Sequence, residues 1–314
     1  MNADYTKTVN CSRLGLKTMK TKKYTVSLVL GSGGARGLAH IGIIEWLNEN
    51  GFDICSIAGS SMGALIGGIY AAGKLDIYKN WVRTLERTDV IRLLDVSFGR
   101  TGLFKGERII KALKELIGDS NIEELPVSFT AVATDIETEK EVWLSKGPLF
   151  DAIRASIAIP TIFTPFKYEG KKLLDGGLVN PIPIAPTLRD LTDITIAVNL
   201  SGKDSIQHKI PTVRKERMND EKTYRNLLTE FIEGLYRKME PKETEDMGLF
   251  DIVSQSIDTM QNTIASFKLA SYSPDFIINI PKDACRFFEF EKADEMIEIG
   301  RSKAGETLSH LQDV

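Results

Sequence analysis

Three short stretches of this 314-residue chain carry residue types that could do chemistry. The first is "GSGGARG", Gly31 to Gly37, where an arginine stands among four glycines. Glycine permits close backbone approach, and a turn from strand to helix leaves several N–H groups without partners. Such a turn attracts an anion. The second is "GSSMG", Gly59 to Gly63, a match to G-x-S-x-G with Ser61 at its centre. A serine on a sharp strand-to-helix turn exposes its hydroxyl, and the flanking glycines relieve the crowding there. Ser60 is the neighbouring decoy. The third is "LLDGGLVNPIP", where Asp175 precedes Gly176 and Gly177.

The anion at the first turn is either a bound phosphate or a charge that develops during a reaction. A dinucleotide fingerprint needs glycine at the first, third and sixth positions. Counting from Gly31, the third is Gly33 but the sixth is Arg36, so the fingerprint fails. No Gly-Lys-Ser/Thr follows, which removes a Walker loop. What remains is a packing turn, or an oxyanion hole built by Gly33 and Gly34 with Ala35 and Arg36 beside them. In the second reading the turn faces Ser61, and the N-terminus of the next helix adds positive potential.

A serine nucleophile needs a base. The chain has three histidines, His40, His208 and His310, and each reads more naturally as a surface or capping group. Asp-Gly-Gly in isolation is the signature of a tight turn. An aspartate on a strand end between close-packed glycines can nonetheless take the proton directly. The order Ser61, Asp175, His208 also satisfies a Ser–Asp–His triad of the α/β-hydrolase type, so that alternative stays open.

Those turns need a scaffold. "YTVSLVL" (24–30) reads as a buried strand and 39–51 as an amphipathic helix closed by glycine. "DICSIAGSS" reads as a second strand running straight into the helix "MGALIGGIYAAGK". Helical patterns recur at 76–88, 106–119 and 148–159, and strands at 126–136 and 140–147. "FKYEGKKLLDGG" reads as a hairpin, 193–200 as a buried strand, and the end as helix 247–270, strand 275–280 and a terminal helix over 288–311. Alternating strands and helices predict one α/β domain whose largely parallel sheet is covered by helices on both faces. Within it, 1–23 reads as a basic, disordered leader and 24–200 as the core. Residues 201–246 read as a charged helical insertion, and 247–314 as the helix–strand–helix that completes the core.

Composition sets the outer bounds. A net charge of −3 points to no nucleic-acid partner, and 42% hydrophobic with 26% charged residues is ordinary for a globular chain. No stretch reaches the ~18 apolar residues of a membrane span. Cys11, Cys55 and Cys285 are widely spaced, which predicts free thiols in a reducing cytoplasm and no metal site. The lysines ahead of "YTVSLVLGSGGA" imitate a secretion signal, but the glycine turn explains that apolar run better.

Taken together and in order, "SGGARG", "GSSMG" and "DGG" resemble the patatin-like phospholipase family, most closely its small bacterial members. The resemblance extends through "TGLFKGERI", "VATDIETEKEVWLSKG", "DAIRASIAIPTIFTPF" and "LVNPIPI", covering most of 25–200 and 247–310. One departure is that Ser32 stands at the first glycine of the family's G-x-G-x-x-G, while Gly34 and Gly37 fill the others. The resemblance implies a three-layer α/β fold and a Ser61–Asp175 dyad without histidine. It also implies an oxyanion hole at Gly33–Arg36, supported by Gly37, Gly59, Gly63, Gly176 and Gly177. The substrates would be phospholipid or lysophospholipid esters met by peripheral membrane contact, with no cofactor. A catalytically weak regulatory or binding module with the same fold is the alternative from another class.

Overall fold

The computed structural model describes residues 24–95, 102–202 and 249–311. The basic leader, nearly all of the 201–246 insertion and His208 lie outside the described residues. The elements begin with β1 (Tyr24–Leu30), α1 (Ala39–Glu49), β2 (Phe52–Ser60) and α2 (Met62–Ala71). There follow α3 (Leu75–Val82), α4 (Arg87–Leu93), β3 (Gly102–Phe104), α5 (Glu107–Ile117), β4 (Ser128–Asp135) and β5 (Lys140–Leu144). Then come α6 (Leu149–Ser156), β6 (Thr161–Phe163), β7 (Phe166–Tyr168), β8 (Lys171–Asp175) and β9 (Ile194–Gly202). The chain closes with α7 (Leu249–Tyr272), β10 (Phe276–Pro281) and α8 (Ala293–Leu308).

The main sheet has the order β10-β9-β1-β2-β4-β8-β7, with β5 also paired to β4. The five strands from β10 to β4 run parallel. The hairpin β7–β8 and β5 add an antiparallel flank on β4. Period-two alternation decides which layer each strand residue enters. Val26, Leu28 and Leu30 of β1, with Ile196, Val198 and Leu200 of β9, join the large core under α1, α2, α6 and α8. Val29 and Ala197 point the other way, to a smaller core formed with Ile182, Ile184 and Ala265 of α7. Three layers result, with α7 as the main cover of the second face.

Three local readings change. The helix expected over 76–88 is two helices. Thr84 donates its hydroxyl back to the Trp81 carbonyl at 2.7 Å, and the Asp89 carboxylate accepts the Glu86 N–H at 3.1 Å, which opens a new first turn. The terminal helix is regular only from Ala293 to Leu308, with 3₁₀ turns on both sides. Cys55, on β2, is disulfide-bonded, contrary to the expectation of free thiols, whereas Cys285 is a free buried thiol. Cysteine pairing depends on proximity in the fold, which wide sequence spacing conceals.

Candidate active site

The glycine turn follows β1 directly. The Gly31 N–H donates to Val198 of β9 at 3.2 Å, and the Ser32 N–H to the Pro181 carbonyl at 2.9 Å. These bonds hold the turn against its neighbours before a 3₁₀ turn runs from Gly34 to Leu38. Gly34 has φ 57°, and a Cβ there would stand 2.6 Å from the Phe287 ring and 2.7 Å from its carbonyl oxygen. Only glycine fits. The Ala35 N–H donates to that same Phe287 carbonyl at 2.9 Å. Among the described residues no protein acceptor faces the Gly33 and Gly34 N–H groups. The Arg36 guanidinium is buried, and its Nη1 donates to the Lys282 carbonyl at 3.3 Å.

The second turn is sharper. Ser61 joins β2 to α2 at φ 55° and ψ −121°, a backbone region that side-chain-bearing residues avoid. Holding it there costs about 1–3 kcal/mol, which the surroundings must offset. The crowding is visible at the flanking glycines. A Cβ at Gly63 would lie 2.0 Å from the Leu30 carbonyl oxygen, and one at Gly59 2.4 Å from that of Gly63. Gly37 packs against Met62 in the same way. The Ser61 N–H donates to Ser156 Oγ at 3.0 Å, and that hydroxyl donates in turn to the Val132 carbonyl at 2.6 Å. Ser156, at the end of α6, thereby ties the elbow to β4.

Asp175 arrives from the antiparallel flank. Ser60 of β2 pairs with Val132 of β4, and the next β4 residue, Ala133, pairs with Asp175. Register therefore brings Ser61 and Asp175 to one level with a single strand between them. The aspartate backbone is fixed at both ends: its N–H donates to the Ala158 carbonyl at 2.9 Å, and its carbonyl accepts the Thr134 hydroxyl at 2.8 Å. Its side chain caps the turn that contains the buried Gly176 and Gly177, Oδ1 accepting the Gly177 N–H at 2.7 Å. Oδ2 is buried without a partner of full hydrogen-bond geometry. Burial pushes this carboxyl up to about 7, against the opposing pull of the Ser61 hydroxyl and the Gly177 N–H. The contact with Ser61 is thus felt by the carboxyl while remaining looser than a closed hydrogen bond.

A cleft of about 740 Å³ opens over these groups. Ser61, Asp175, Ser32 and Arg36 form its floor, and Ile159, Pro160, Ile162, Phe287 and Phe288 form an apolar wall. Gln255, Asp258 and Gln261 of α7 close the opposite side, with Lys282 and Arg286 at the rim.

The sequence profile described as Patatin-like phospholipase matches residues 28–188, a span that contains both turns and the aspartate. An NTE family protein of Mycobacterium tuberculosis is 38% identical over 91% of this chain and 92% of its own length. The chain belongs to the patatin-like phospholipase family. A lysophospholipase of Emericella nidulans is 32% identical over 57% of this chain, but over only 12% of its own length. A neuropathy target esterase of Drosophila persimilis is 32% identical over 51% of this chain and 12% of its own.

Within this patatin-like chain the remaining candidates separate by position. Ser60 is fully buried and does not line the cleft, whereas Ser61 does. His40 is fully buried on α1, where Nε2–H donates to the Gly31 carbonyl at 3.0 Å. Burial lowers its pKa to about 4, so it stays neutral and holds the glycine turn. His310 lies beside the Phe276 ring, 5.6 Å between centroids. Sequence reasoning missed Ser156. A hydroxyl inside the otherwise apolar "ASIAIP" was the available signal, since a buried serine needs a backbone partner.

Proposed function

We propose that the protein is a lipid acyl hydrolase of the phospholipase A or lysophospholipase type, working through a Ser61–Asp175 dyad. Ser61 Oγ attacks the ester carbonyl carbon as its proton passes to Asp175 Oδ2. The carbonyl π pair moves to oxygen, and the Gly33 and Gly34 N–H groups stabilise the resulting oxyanion. When the tetrahedral centre collapses, the C–O bond breaks and the alcohol leaves with the proton from Asp175. Water then repeats the cycle on the acyl-serine, releasing the fatty acid and restoring both side chains.

The observation that carries this reading is the unsatisfied, buried Oδ2 of Asp175 on the level of Ser61. A carboxylate is ordinarily too weak a base near neutrality, with a reference pKa of about 3.9. Raised to about 7, it is matched to abstracting a proton at physiological pH and returning it. The cleft suits the substrate class. Its apolar wall of Ile159, Ile162, Phe287 and Phe288 accommodates an acyl chain, and the charged rim at Lys282 and Arg286 a polar head group. The kinship with a lysophospholipase and a neuropathy target esterase points the same way.

The test is covalent labelling with a fluorophosphonate, followed by hydrolysis of a lysophospholipid and phospholipid panel. The reading predicts one label, on Ser61, lost in Ser61→Ala, and release of fatty acid from at least one lipid class. Labelling at Ser60, or lipid hydrolysis that survives in Ser61→Ala, would refute it.

A further inference from the structure

Asp175 shares its corner of the cleft with two other polar side chains. Gly177, two residues on, is buried. A Cβ there would stand 2.7 Å from Ser32 Oγ, 2.9 Å from Asp175 Oδ1 and 2.9 Å from Gln261 Nε2. The glycine turn after β1, the end of β8 and helix α7 thus each bring a polar atom to one point. Gly177 does not have a left-handed φ, so contact rather than backbone conformation reserves this position for glycine. Ser32, Asp175 and Gln261 all line the cleft together with Ser61.

Two of the three groups are uncommitted. Among the described residues no partner bonds the Ser32 hydroxyl or the Gln261 side-chain amide, although both residues are half-buried. Their backbones are nevertheless held in place. The Ser32 N–H is tied to the Pro181 carbonyl at 2.9 Å. Gln261 lies one turn before Ala265, which packs with Ile182 and Ile184 in the smaller core.

A water held beside a base needs an acceptor for each proton and a donor for its oxygen. The Asp175 carboxyl takes the proton that leaves. Ser32 Oγ donates or accepts, and the Gln261 amide offers a donor at Nε2 and an acceptor at Oε1. The two half-reactions ask different things of this corner. In acylation the nucleophile is Ser61, which the chain itself holds, and the rest of the substrate positions the leaving alcohol. In deacylation the nucleophile is a water with no tether, so its position must come from the protein.

We propose that Ser32 and Gln261 hold the water that releases the acyl group, which makes both catalytic residues of the second half-reaction. The proposal rests on the hydrolase reading and assigns the groups that position the water in its last step. The water oxygen bonds to the acyl carbon as one of its protons passes to Asp175 Oδ2. The carbonyl π pair moves to oxygen, then returns as the bond from carbon to Ser61 Oγ breaks. Oγ recovers the proton from Asp175, and a carboxylic acid leaves.

The test separates the half-reactions on the full chain. An aryl N-methylcarbamate loads Ser61 with a small carbamoyl group, and the excess reagent is removed. Intact mass then follows loss of the adduct to water. Gln261→Leu should slow that loss by about tenfold, and Ser32→Ala by about threefold to tenfold, as each removes a hydrogen bond to the attacking water. Loading, in which no water reacts, should slow by less than about threefold in either variant. The ratio of the two rates is decisive, because a variant that merely loosens the site slows loading and loss together. Equal slowing of both steps would make the pair structural and overturn the proposal. So would loss at the wild-type rate in either variant. Slowing confined to loading would also overturn it, by assigning the corner to the leaving alcohol. If wild-type Ser61 takes no carbamoyl group, the hydrolase reading fails first and the water assignment falls with it.

Discussion

Asp175, at the end of β8, and His40, in the first turn of α1, are both shut away from solvent, and burial favours the neutral form of each. For the aspartate this raises the pKa to about 7, and for the histidine it lowers it to about 4. Their surroundings complete the contrast. His40 commits Nε2 to the Gly31 carbonyl and stands behind the glycine turn. Asp175 keeps Oδ2 uncommitted and lines the cleft with Ser61. The lesson is that the imidazole, the side chain usually cast as a serine's base, is here kept neutral by burial and bonded to the glycine turn, while the carboxyl titrates in the range the proposed base needs.

Four experiments press on that contrast. The largest effect belongs to Asp175→Asn, which keeps shape and removes the proposed base. Steady-state assays should show kcat down by about 10²–10⁴ with the circular dichroism unchanged. Next is Gly34→Val, whose branched side chain must displace Phe287 or deform the turn that aims the Gly33 and Gly34 N–H groups. A loss of about 10²–10³ in kcat is expected, and near-normal turnover would remove the oxyanion role.

Stability against pH sharpens the contrast thermodynamically. The unfolded chain loses the Asp175 proton near 3.8 while the native protein holds it to about 7. Across that window the native state binds more protons, so stability falls as pH rises. His40 behaves oppositely: the unfolded chain takes up its proton below 6.5, the native protein only near 4, so stability falls as pH drops through that window. Each slope is about 1.4 kcal/mol per pH unit, and in wild type the two oppose each other where the windows overlap. Asp175→Asn should therefore gain stability with rising pH across the overlap, and His40→Gln should lose it. Denaturant titrations from pH 4 to 8 read both slopes; parallel curves for the two variants would contradict the burial argument.

The smallest kinetic effects should come from the supports. Ser156→Ala strands the Ser61 N–H, a cost of about 1–3 kcal/mol that should appear as a kcat loss of about tenfold, with KM little changed. His40→Gln keeps a donor for Gly31 and should retain kcat within about tenfold. A histidine effect as large as that of Ser61→Ala would restore the triad.

Much of this was legible in the sequence for identifiable reasons. β1 and β2 are apolar runs that end in glycine-rich turns, so both turns and Ser61 could be located from pattern alone. Asp175 followed from chain order and the resemblance. The level it shares with Ser61 did not, because that is set by β4, whose register with both neighbours carries no sequence signature. The carboxyl's raised pKa depends on packing from α6 and the 176–178 turn, again invisible locally. Helix α7 was legible as a helix, but its place beside the cleft depends on which face of the sheet it covers. The break at Thr84 was hidden because each half keeps its apolar period.

The central claim is that Asp175, and no histidine, is the base. The rate of Ser61 phosphonylation measured against pH tests it most directly, in wild type, Asp175→Asn and His40→Gln. The account predicts a rise centred near pH 7 in wild type and the same midpoint in His40→Gln. Asp175→Asn should give a flat profile lower by about 10² or more. A wild-type profile in Asp175→Asn, or a midpoint that vanishes with His40, would contradict it.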